Sequence, residues 1–197
     1  MMDSNFFALI SRMRYIARWG LMRNALPENI QEHSHMVAVL AHALGVIRRD
    51  IFGQPCDVNA LATAALYHDA SEILTGDLPT PIKYHNAEIM SAYHAVEDLA
   101  VQKLLGMLPP ELRETYAAVL DEDKGGDIYP LVKAADKLSA YIKCIEERKA
   151  GNNEFLSAEA QTRAALEASP LPEVQYFLEH FIPAFERDLD ELGAIGQ

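Results

Sequence analysis

Cysteine is scarce in this chain: Cys56 and Cys144 are the only two among 197 residues. Two thiols so far apart supply neither a disulfide framework nor the paired cysteines of a structural zinc module, so they read as free thiols in a reducing compartment, the cytoplasm. Basic charge is also short, with 17 Lys and Arg against 29 Asp and Glu and a formal net charge of −12. Nucleic-acid polymers and anionic membrane surfaces both reward basic faces, so neither is expected as the main partner, and a small ligand fits better. No window of 18 apolar residues runs free of charge, and Met1-Met2-Asp3-Ser4-Asn5 has no basic residues leading into an apolar stretch. A membrane span and a secretory signal are therefore not expected.

The β-branched alternation of strands is nearly missing as well, whereas apolar residues recur at steps of three and four among abundant Ala, Leu, Glu and Lys. That pattern predicts an all-α fold. Half of the chain is apolar, enough for one substantial core, and without a repeat or linker residues 1–197 read as a single domain. Ser4 is placed to cap a helix reaching Trp19, and Asn29 with Glu32 resembles a capping box opening a second. In that second helix His33, Val37, Leu40, Leu44 and Ile47 share one inward face. A third helix is expected from Asp57 to about Leu74, ended by Gly76-Asp77-Leu78-Pro79-Thr80-Pro81, whose prolines cannot continue it. Further helices are expected over 86–105, after Pro109-Pro110, after Pro130, over 158–168 and over 173–192, with a charged turn at 121–127. In the helix after Pro130, Leu131, Ala135, Leu138, Ile142 and Ile145 form the apolar stripe, and Asp136 lies beside it.

A His-Asp dipeptide alone carries little, since this composition gives about 0.4 of them by chance. Its setting is more telling. His68-Asp69 falls in the alanine-rich Ala64-Ala65-Leu66-Tyr67-His68-Asp69-Ala70-Ser71-Glu72, where polar groups near a core are costly unless partnered. On a continuous helix Glu72 lies one turn from both His68 and Asp69. One helix seldom offers a divalent ion more than three ligands, so His33 and Asp136 are the candidates to complete a site. Two imidazoles and two carboxylates form a mixed nitrogen and oxygen set suited to one divalent ion, such as Co, Mn or another borderline transition metal.

His33, the His68-Asp69 doublet and Asp136, in that order on a helical chain, resemble the H…HD…D signature of the HD-domain metal-dependent phosphohydrolases. Phe6-Phe7, Arg18-Trp19, Leu21-Met22-Arg23, Glu32-His33-Ser34, Tyr67 to Glu72, Thr75 to Pro81 and Ala150-Gly151-Asn152-Asn153-Glu154-Phe155 extend the likeness to the bacterial 5′-deoxynucleotidase subgroup. The resemblance implies an HD-type helical bundle that removes phosphate from deoxyribonucleoside 5′-monophosphates, with broad base tolerance, and that forms a homodimer. It further implies His33, His68, Asp69 and Asp136 as metal ligands and Glu72 as the group that activates or orients water. Arg18 would hold phosphate, and Trp19 with Asp77, Leu78, Pro79 and Thr80 would shape the sugar pocket. Through the same likeness Arg18 and Asp77 join Glu72 as catalytic residues, Asp77 being the alternative proton carrier, and His33, Asp69 and Asp136 also face substrate.

Some of this stands on the residues alone. Arg12, Arg14, Arg18 and Arg23 against Asp3 make residues 1–25 locally basic, and Arg offers a planar fork for phosphate oxygens. For Trp19 the site role leans on the resemblance, which implies that it stacks on a deoxyribose and excludes a 2′-hydroxyl, an exclusion that yields about hundredfold preference rather than absolute rejection. The plainer readings are a core histidine for His33, an ion pair with Lys133 or Lys137 for Asp136, and packing for Trp19; only the first outweighs the site role when its residue is taken singly. The rival functions are an HD phosphohydrolase acting on another nucleotide phosphoester and a non-catalytic helical module that binds metal or nucleotide.

Overall fold

The computed structural model describes residues 4–83, 85–120 and 126–193. It is helical: α1 (Phe6–Ile10), α2 (Ile30–Val46), α3 (Val58–Tyr67), α4 (Glu72–Thr75), α5 (Thr80–Lys83), α6 (Ala87–Gly106), α7 (Pro110–Leu120), α8 (Tyr129–Lys149), α9 (Leu156–Glu167) and α10 (Pro172–His180). Among the described residues no strand forms, and an isolated antiparallel bridge joins Ala17 and Asn29. No described helix is long and apolar enough to cross a membrane.

Two apolar clusters make the core. The larger joins Val37, Leu40 and Leu44 of α2, Leu61 and Ala65 of α3, Leu131, Leu138, Ile142 and Ile145 of α8, and Val174 and Phe177 of α10. The smaller gathers Phe6, Ala70, Leu104, Leu105, Leu108 and Leu120. Ala65 belongs to the first cluster and Ala70 to the second, so His68-Asp69 occupies the seam between them. That seam breaks the expected third helix. From Tyr67 the chain turns through Ala70 N to Tyr67 O and Glu72 N to Asp69 O bonds, three-residue steps that tighten the backbone. Glu72 therefore starts α4 rather than continuing α3, with its amide donating to the Asp69 carbonyl at 3.0 Å.

The boundaries elsewhere have identifiable causes. Asn29 caps α2, its Oδ1 accepting from Gln31 and Glu32 amides, and Asp57 caps α3 likewise. The first helix does not reach Trp19: α1 passes into a 3₁₀ segment, Ser11–Tyr15, which ends at the extended Ile16. Ser4 is not its cap, because the Ser4 hydroxyl donates to the Met107 carbonyl. α10 stops at His180 instead of reaching Leu192, since Pro183 has no amide to donate and the chain continues as a 3₁₀ turn, Ile182–Glu186. Of the turn expected at 121–127, residues 121–125 lie outside the described residues.

α8 carries a second stripe beside its apolar one. Asp136, Ser139, Lys143 and Glu147 follow at steps of three, four and four, so they line one face. Ser139, Lys143 and Glu147 are buried. Buried polar groups need partners, and this ridge finds them at one end in His33 and at the other in the loop that enters α2.

Candidate metal and phosphate site

His33 is fully buried on α2. Its Nδ1 lies 3.1 Å from Ser139 Oγ, which leaves Nε2 to face the seam. His68 donates its Nδ1 proton to the Ala65 carbonyl at 2.7 Å; a carbonyl only accepts, so this bond fixes the tautomer and leaves the Nε2 lone pair free. The rings are 5.3 Å apart. Asp136 Oδ1 lies 3.0 Å from His33 Nε2, and Asp69 Oδ2 lies 3.2 Å from His68 Nε2 and 3.5 Å from His33 Nε2.

None of these contacts is aligned as a hydrogen bond, and both Nε2 atoms are buried without a hydrogen-bond partner. Orphaned buried nitrogen atoms are uncommon in a folded protein. Here two converge with carboxylate oxygens, and ligand atoms of His33, His68 and Asp136 all lie within 4.8 Å of one another. Asp69 adds an oxygen against both rings. This donor set fits a divalent cation, which would satisfy the nitrogen lone pairs and neutralise the carboxylates together.

The electrostatics agree with the crowding. Burial opposes ionisation of Asp69, yet the two imidazoles hold its carboxyl well below the usual range; Asp136 is depressed in the same way, burial being outweighed by His33, His68 and Arg18 together. Burial would lower His68, but Asp69 and Asp136 raise it. Glu72 goes the other way. Burial first, then the negative charges of Asp69 and Asp77, push its carboxyl up to about 10, and its Oε2 has no hydrogen-bond partner. Asp77, which follows the positive-φ Gly76 ending α4, is raised by burial more than Arg18 lowers it.

Arg18 brings positive charge to the cluster. Burial disfavours the guanidinium, but Glu28, Asp136, Asp69 and Asp77 together keep it charged. Glu28 accepts from Nη1 at 2.8 Å, while Nε is buried with no partner. A buried, oriented guanidinium with a donor to spare beside a cation site suits an anion with several oxygens.

A family model described as 5′-deoxynucleotidase YfbR-like matches residues 5–185. The chain belongs to this family. The YfbR-like chain is 51% identical over 194 residues to the 5′-deoxynucleotidase YfbR of Shigella boydii, and equally to that of Escherichia coli K12, with 98% of each chain covered. Its fold matches an HD-domain phosphohydrolase from Listeria innocua with a TM-score of 0.81 and 25% identity over 94% of this chain and 90% of the other. The cyanophage S-2L HD phosphohydrolase DatZ, bound to dA and one catalytic Zn2+ ion, matches with a TM-score of 0.59 and 25% identity over 96% and 99%. The all-α, HD-type fold expected from the sequence is thus the observed one, and the YfbR-like chain is a hydrolase.

The site predicted from this YfbR-like sequence is gathered from distant segments. His33, His68, Asp69 and Asp136 meet at the seam, with Arg18, Glu72 and Asp77 around them. Trp19 is half-buried beside Arg18, and Leu78 and Pro79 are half-buried in the loop leading to α5. Thr80 opens α5, and its side chain lies outside the described residues. His94, outside this cluster, bonds Glu97 at 3.0 Å, and the His180 ring lies 4.2 Å from Tyr176. Sequence reasoning missed Ser139 and Glu28. Ser139 was within reach, three residues after Asp136 on the same helical face; Glu28 sits in an irregular loop with no periodicity to betray it.

Proposed function

We propose that this hydrolase removes phosphate from deoxyribonucleoside 5′-monophosphates, with His33, His68, Asp69 and Asp136 holding one divalent cation. The observation that carries this is the pair of orphaned Nε2 atoms facing two carboxylates with the Arg18 guanidinium beside them. A bound divalent cation would supply Lewis acidity and an acidified water, the two things hydrolysis of a phosphate monoester requires. Arg18 binds the phosphate through its unpaired Nε, offsetting charge on oxygens that a nucleophile must approach. Glu72, at the start of α4 beside Asp69, orients the water, and it takes a proton from it once a bound cation offsets the negative charges of Asp69 and Asp77 that otherwise keep its carboxyl protonated; Asp77 is the alternative carrier. His68, locked by the Ala65 carbonyl, and His33, placed by Ser139, orient the ligands.

The sugar is met by Trp19 and the loop of Asp77, Leu78, Pro79 and Thr80. A flat indole against the ring leaves little room for a 2′-hydroxyl, so deoxyribose is preferred over ribose. Base tolerance is broad, a reading that follows from the family likeness and from a sequence that offers no identifiable base-reading element. The relatives named 5′-deoxynucleotidase and the dA-bound phage enzyme support the substrate class. The same reading makes residues 1–197 a single domain, places it in the cytoplasm, and makes it a homodimer; Val96 and Leu99, exposed on α6, offer an apolar face for such pairing.

The test is phosphate release from paired deoxy and ribo 5′-monophosphates with Mn, Co, Mg or Zn. Faster release from the deoxy member of every pair is expected. Equal rates on both sugars would remove the deoxynucleotide assignment, and no release with any ion would favour a non-catalytic binding module.

A further inference from the structure

Between Tyr15 and Ile30 the chain forms the loop that carries both Arg18 and Trp19, and a single oxygen joins them. Glu28 Oε2 accepts from Arg18 Nη1 at 2.8 Å and from Trp19 Nε1 at 3.1 Å. The carboxylate is mostly shielded, its side chain 16% exposed, so these charge-assisted bonds compete little with water. The backbone repeats the pairing: Arg18 N donates to Glu28 O at 3.0 Å, next to the Ala17 to Asn29 bridge.

Trp19 needs such support because its own backbone resists the position. Its φ is +59°, and it is the non-glycine residue with positive φ among those described. For an L-residue that conformation is disfavoured, and it persists only where surroundings impose it. Met22 N bonds the Trp19 carbonyl at 2.8 Å, the indole rests on Phe155 with centroids 5.2 Å apart, and Glu28 takes the indole proton. Phe155 and the loop are themselves fixed from α8. Glu147 accepts from the Ala25 and Leu26 amides and from Asn152 Nδ2, which also donates to the Arg23 carbonyl. The Ala150-to-Phe155 segment thus holds the loop down from behind.

We infer that Glu28 is the positioning residue that sets the deoxyribose preference, by holding the indole of Trp19 and the guanidinium of Arg18 at one fixed spacing. The inference rests on the reading of Arg18 as phosphate clamp and Trp19 as sugar wall. With phosphate on Arg18, the sugar lies at a set distance from the indole, and a 2′-hydroxyl has to push that wall aside. The indole cannot yield without breaking its bond to the oxygen that also orients Arg18. Without Glu28 the wall moves and the ribonucleotide enters.

The experiment uses the metal-loaded full chain, dAMP and AMP as the paired substrates, and the emission of Trp19, the single tryptophan. Glu28→Leu keeps the volume and removes the acceptor. Its ratio of kcat/KM for dAMP over AMP should fall about tenfold or more, out of the roughly hundredfold available to exclusion, and its emission should move to longer wavelength. Glu28→Gln should rescue both, because one amide oxygen can accept both bonds. Glu28→Asp, which withdraws the oxygen by one methylene while keeping the charge, should lose part of the ratio and covers the case of a poorly folded Leu variant. Parallel losses on both sugars, with the ratio and emission unmoved, overturn the inference. Trp19→Ala separates it from the reading beneath: if that variant keeps the sugar preference, Trp19 is not the wall. If Trp19→Ala loses the preference and Glu28→Leu keeps it, only the role of Glu28 falls.

Discussion

His33 Nε2 lies 3.0 Å from Asp136 Oδ1 and yet forms no hydrogen bond to it. The distance is short because His33 is buried on the apolar face of α2 and the half-buried Asp136 meets it from the head of the polar ridge of α8. An approach without alignment is what the proposed cation between them would require, and the His68 and Asp69 pair repeats it from the seam.

Ser139 fixes the other nitrogen of His33, so it governs how the imidazole is aimed. Ser139→Ala should weaken divalent-metal binding by about tenfold to a hundredfold, the usual cost of losing a hydrogen bond behind a ligating histidine. Competition titration with a chelating dye reads this directly. Unchanged affinity would mean that packing alone orients the ring.

Glu72 is buried beside Asp69 and Asp77, and Gln preserves its shape. Glu72→Gln should retain the metal and an ordinary KM while kcat falls by about a hundredfold to ten-thousandfold, the range for loss of a proton-transfer group. Metal content by mass spectrometry and steady-state kinetics on one preparation separate these effects. Full activity in the variant would assign the proton to Asp77.

Glu147 anchors the loop that carries Arg18 and Trp19 and has a pH signature. Burial would raise its carboxyl, but Lys143, Asn152 and the Leu26 and Ala25 amides outweigh it and depress the pKa from 4.5 to about 2. A depressed carboxylate stabilises the fold above its unfolded pKa, and that contribution disappears as pH falls through the folded value. Stability should therefore decline between about pH 5 and pH 2 through this group. Glu147→Gln should remove that portion of the slope and lower stability at neutral pH by about 3 kcal/mol, because buried Lys143 loses its counter-charge. Urea unfolding across that range provides the check.

Much of this was legible in the sequence, and the limits are physical. Asn29 and Asp57 announced α2 and α3 through their caps, and the three-and-four spacing placed His33 inward and Asp136 beside a buried stripe. Periodicity could not show the break at His68, where the chain must cross from the core holding Ala65 to the one holding Ala70. The consequence is that Glu72 opens a new helix instead of continuing α3. The loop from Ile16 to Asn29 was opaque for another reason: its shape depends on a positive-φ tryptophan and on side chains of α8 more than a hundred residues away. Pro183 was a stop signal in plain view, and it ends α10 as a proline should.

The most direct measurement is metal content and phosphate release for the wild-type chain and Asp69→Ala, both purified metal-free and then given Mn or Co. The wild type should bind one ion per chain and release phosphate from a deoxyribonucleoside 5′-monophosphate. Asp69→Ala should lose tight binding and at least about a thousandfold in rate, since the acidified water and the charge neutralisation both depend on the bound ion. Phosphate release by Asp69→Ala at the wild-type rate, with no ion retained, would contradict the proposal that the seam between the two cores is a metal site.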